Sequence, residues 1–102
     1  MQIIWDKEVV EQLRNSHTLL ELETFEVKGE PVTTYCVVPA EKLLADLPQL
    51  PVYTDLHEGF VKALNENNLK LCEDIYEHLK GHFGGELDSF YEVIIERLKT
   101  ST

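Results

Sequence analysis

The stretch from Leu87 to Lys99 constrains the fold of this chain more than any other. Wound as a helix of about 3.6 residues per turn, it spreads Leu87, Phe90, Tyr91, Val93, Ile94, Ile95 and Leu98 over more than half of its circumference. Only a narrow strip of Asp88, Ser89, Glu92, Glu96 and Lys99 is left for water. Such a helix needs two packing neighbours, either both within the chain or one within it and one on a partner.

The remaining pattern supplies those neighbours. Trp5, Val9 and Leu13 recur every fourth residue behind the capping residue Asp6, which predicts a helix from Asp6 to about Ser16. Met1 to Trp5 can add a short strand ahead of it. From Leu19 to Val38 the period shortens to two around Lys28-Gly29-Glu30-Pro31, the signature of a β-hairpin. A two-residue loop at Lys28-Gly29 sets Leu20 opposite Val37, Leu22 opposite Tyr35 and Thr24 opposite Thr33. Leu20, Leu22, Tyr35 and Val37 then form the face that packs on helices. A hairpin alone is marginal in water, so helices or a third strand must support it.

Beyond Pro39, the leucines Leu43, Leu44 and Leu47 suit a short helix, Ala40 to Leu47. Pro48 and Pro51 are expected to hold the chain out of helix until a cap at Thr54 or Asp55. The next helix carries Leu56, Phe60, Ala63 and Leu64. Asn65, Asn67 and Asn68 interrupt it, and Leu69 to His82 continues with Cys72, Ile75, Tyr76, Leu79 and Phe83 in a stripe before Gly84-Gly85. The fold class is therefore α+β: an N-terminal helix and an antiparallel β-hairpin, extendable to a small three-stranded sheet, packed on a C-terminal antiparallel three-helix unit. The 102 residues suit a single domain with one core.

Charge narrows the partners. The net charge of −10 is spread evenly, with nine acids and four bases in residues 1 to 50 and ten acids and five bases thereafter. A uniformly negative surface repels phosphate backbones and anionic lipid, which argues against nucleic-acid and membrane binding. Such a charge serves solubility, and its sharper reading is a basic protein partner steered in by the field. The apolar run at the N-terminus meets Asp6 too early for a signal-peptide core, so a cytoplasmic location is expected. Cys36 and Cys72 lie within apolar patterns without CxxC spacing and read as buried free thiols.

Candidate chemistry is sparse. His78 and His82, four apart, with Asp74 one turn earlier, have the spacing of a metal site, yet Asp74 and His78 point away from the apolar stripe. His57-Glu58 opens an HExxH pattern that Val61 breaks. The di-iron pattern fails as well, since Ile75 and Leu79 stand three residues before His78 and His82. Glu73 with Glu77, and Glu92 with Glu96, are ordinary helix-surface neighbours. No catalytic set and no cofactor motif emerges. The expected function is a non-enzymatic interaction domain, of inhibitor or immunity type, that binds a basic partner. A small-molecule or metal-binding domain is one alternative, and a homodimer built on Val93 and Ile95 is another. Tyr53, placed between Pro51 and the expected cap, is a further interface candidate.

Overall fold

The computed structural model describes residues 1–101. Its elements are β1 (Gln2–Ile4), α1 (Lys7–Arg14), β2 (Thr18–Val27), β3 (Glu30–Val38), α2 (Leu50–Asn65), α3 (Leu69–Leu79) and α4 (Asp88–Thr100). Short 3-10 turns at Ala40–Lys42, Leu44–Gln49 and Phe83–Gly85 join them. The strands form one antiparallel sheet in the order β1-β3-β2, so the N-terminal residues do supply a third strand. The α+β class expected from the pattern is the class observed.

Local chemistry explains most boundaries. Asp6 caps α1 by accepting from the Glu8 amide at 2.9 Å, and Asn68 caps α3 through the Leu71 amide at 3.1 Å. Lys28 and Gly29 both take positive φ, 52° and 82°, as a two-residue hairpin turn of matching twist requires. α2, however, starts at Leu50, not near Asp55. Pro51 lies in its first turn, where backbone N–H groups have no helical partner and proline sacrifices nothing. α3 likewise stops at Leu79 rather than His82, with Gly81 at φ 81° turning the chain before Gly84-Gly85 is reached. The segment expected as a helix over Ala40 to Leu47 is 3-10, and of its leucines Leu43 is buried while Leu44 and Leu47 stay exposed.

The hairpin corrects its own expected face. Near the turn the register is as read, with Thr24 opposite Thr33. An irregularity between Glu21 and Thr24 then adds one residue to β2, so Leu20 meets Cys36 and Glu21 meets Tyr35. A one-residue slip exchanges the faces of the partner strand. Cys36 and Val38 therefore enter the main core beside Leu20 and Leu22, whereas Tyr35 and Val37 turn to the other side. There α1 lies over the sheet, with Val10 buried and the Arg14 guanidinium 5.9 Å above the Tyr35 ring. Val9 and Trp5, expected on the inner stripe of α1, are exposed.

α4 finds its neighbours within the chain. The Tyr91 ring lies 4.7 Å from Phe60 of α2 and 5.6 Å from Tyr76 of α3, and Arg97 forms an ion pair with Glu23 of β2. Leu87, Phe90, Ile94, Ile95 and Leu98 join the same core. Ile95 is 8% exposed and packs in that interior, so it offers a second copy little surface; Val93, at 56%, is the apolar residue of α4 left outside.

Candidate functional site

Three polar arrangements stand out. The first is internal. His57, 1% exposed, lies on the buried face of α2 with Val61 and Leu64, and reaches the Glu21 carbonyl at 2.5 Å through Nε2 and the Tyr91 hydroxyl at 2.8 Å through Nδ1. A carbonyl can only accept, so Nε2 carries the proton and Nδ1 accepts from Tyr91. Burial lowers the pKa of His57, against the upward pull of the Glu21 carbonyl, and the ring is held neutral. With both nitrogens engaged it ties β2, α2 and α4 together.

The second lies where α2 begins. Buried Asp46 accepts from His82 Nδ1 at 2.8 Å and from the Phe83 amide at 2.7 Å, and Tyr53 stacks on His82 with ring centroids 3.8 Å apart. Tyr53 is thus half-buried on the first turn of α2, not on a loop. His82 lies past the end of α3 and is engaged with Asp46, while Asp74 pairs with Lys70 at 2.8 Å. The structure does not bring Asp74, His78 and His82 together on one helical face. Among the described residues, no three His, Cys, Asp or Glu side chains converge as a metal site requires.

Burial by itself raises the Asp46 pKa, but the hydrogen bonds from His82 and Phe83 and the His82 charge outweigh it and leave the carboxyl below its usual range. A depressed carboxyl stabilises the fold above the unfolded value, about 3.9, and that contribution is lost as pH falls through the folded value. Equilibrium unfolding followed from pH 7 to pH 2 should therefore show a shallower acid limb for Asp46→Asn than for the wild type. Identical slopes would dismiss the carboxylate as a contributor.

The third arrangement is a groove of about 380 Å³ between α3 and α4, lined by Glu73, Tyr76, Glu77, Glu92, Ile95, Glu96 and Lys99. Two glutamate pairs that are unremarkable on their separate helices face each other across it. Tyr76 donates to Glu92 at 2.6 Å, and burial first, then that bond and the surrounding acids, raise its pKa and keep the phenol protonated. The groove can offer carboxylates to a cationic surface around one aromatic floor residue. Nothing in the spacing of either helix alone announces it.

The thiols are inert by position. Burial pushes both Cys36 and Cys72 up to about 11, with Glu86 adding to the first and Glu73 to the second. Comparison with protein-family models, curated proteins and solved structures finds no match.

Proposed function

We propose that this chain is a non-enzymatic, cytoplasmic protein-interaction domain of inhibitor or immunity type, and that the groove between α3 and α4 receives a basic protein partner. The observation that carries the reading is the meeting of Glu73, Glu77, Glu92 and Glu96 around Tyr76 on a chain of net charge −10. A concentrated negative field steers cationic partners into encounter, and a tyrosine beneath it can anchor them. Both thiols are buried and His57 is bonded at both nitrogens, so these three side chains are held in structural roles, which is in keeping with a binding role.

The test is retention of partners from the native host's cytosol on the immobilised chain, followed by kinetics on the retained protein. A basic partner should associate about tenfold or more slowly at high salt than at low salt, and Glu92→Lys with Glu96→Lys should slow it similarly at low salt. An association rate indifferent to both changes rejects the groove.

A second reading rests on a cleft of about 530 Å³ between α2 and the sheet, lined by Arg14, Glu21, Tyr35, His57, Lys62 and Asn65 among others. Its size suits a small molecule. Native mass spectrometry giving a reproducible ligand-bound mass would support it, and a clean apo mass from several preparations would remove it.

A further inference from the structure

β1 is too short for the strand it pairs with. It covers Tyr35, Cys36 and Val37 of β3, leaving the part of β3 nearer the turn without a strand on that side. Backbone groups of an antiparallel strand point alternately to one neighbour and the other. Val27 and Glu30 flank the two-residue turn as a bonded pair, so Glu30 and Val32 address β2 while Pro31 and Thr33 address the open side. Pro31 fits this arrangement, since an open edge is where a strand proline forfeits no ladder bond. The open edge thus presents the Thr33 N–H, the Thr33 carbonyl and the Pro31 carbonyl.

Beside this edge runs a groove of about 430 Å³, with Trp5, Lys7, Val10, Glu11 and Arg14 on one wall and Glu30, Pro31, Val32, Thr33 and Tyr35 on the other. Trp5, 62% exposed, stands at its mouth just past the end of β1. Native sheets usually cover or charge such an edge, and on the opposite edge of this sheet His57 bonds the Glu21 carbonyl while Arg97 pairs with the Glu23 carboxylate.

We infer that the open half of β3 is a strand-addition site, taking an extended, net-positive segment of another protein as a continuation of β1. Main-chain bonds to Thr33 and Pro31 supply the pairing, and an apolar side chain opposite Thr33 enters the groove between Trp5 and Tyr35. The walls balance in charge, Lys7 and Arg14 against Glu11 and Glu30, so they impose no sign of their own. The sign comes from the whole chain: at −10, a second copy is repelled and a basic segment is attracted. This site is separate from the α3–α4 groove and does not depend on it.

The probe is a short capped peptide alternating valine and lysine, added to the full chain and followed by NMR amide exchange and by the Trp5 indole resonance. Binding should slow exchange at Thr33 about tenfold or more and shift the Trp5 indole, with little change on α3 or α4. Thr33→Pro removes the outward N–H without touching the β2 ladder and should weaken the peptide at least about tenfold. Thr33→Val, which loses the side-chain bond to Thr24 but keeps the amide, should bind as the wild type does. The same peptide with glutamate for lysine should bind at least about tenfold more weakly. Protection elsewhere with Thr33 unchanged, equal binding by Thr33→Pro, equal binding of the glutamate peptide, or Thr33 protection rising with protein concentration alone would each overturn the assignment, the last by making a second copy the occupant.

Discussion

Replacing Phe60 by alanine should cost about 3–5 kcal/mol, read as a fall in the urea midpoint at unchanged slope. Phe60 is fully buried and its ring meets Tyr91 at 4.7 Å and Phe90 at 6.1 Å, so truncation empties the contact between α2 and α4. Cys72 shares the site, its Sγ lying 4.0 Å from the Phe60 carbonyl. The surrounding helices are held by other contacts and can only partly collapse, which places the cost at the high end for a core deletion. Set against a typical stability of about 5–15 kcal/mol, that loss is a substantial share of the whole. A cost below about 1 kcal/mol would mean that α4 does not depend on α2 for its burial.

The second large effect is expected at His57. His57→Leu keeps the volume roughly constant but strands the buried Tyr91 hydroxyl and the part-buried Glu21 carbonyl, and should cost about 2–4 kcal/mol. Adding Tyr91→Phe removes one of the stranded groups, so the double variant should recover part of the loss. Simple additivity would show that the two side chains are not coupled.

The same histidine sets a pH dependence. Its folded pKa is depressed, so as pH falls below the unfolded value of about 6.5 the unfolded chain takes up a proton that the folded chain refuses. Stability should decline from that point until the folded value is reached, and this decline should be missing in His57→Leu. Its onset, near the unfolded histidine value of about 6.5, lies above the unfolded carboxyl value of about 3.9 where the Asp46 contribution begins to fall.

How much of this was legible beforehand depends on the range of the interaction responsible. The Asp6 cap, the Lys28-Gly29 turn, the asparagine break before α3 and the wide apolar arc of α4 are all matters of residues within a turn or two of one another. Pattern and propensity carry them directly. The start of α2 was obscured because proline reads as a breaker unless the surrounding fold places it in a first turn. The core role of His57 is hidden for a related reason. Its spacing to Val61 and Leu64 marks the buried face of α2, but a histidine is admitted to a core only when partners for both nitrogens exist, and those stand on β2 and α4.

Local periodicity thus determined the α+β class, the order of the elements and the demand of α4 for two neighbours. The tertiary structure decided that both neighbours belong to this chain, that Ile95 is inside and Val93 outside, and that the face of β3 is reversed by one extra residue in β2. It also decided that His82 serves Asp46 and that four glutamates on two helices share one groove. Each of these is a choice of partner across long stretches of chain, made by the collective gain of packing and hydrogen bonding, and such a gain has no period along the sequence by which it could be read.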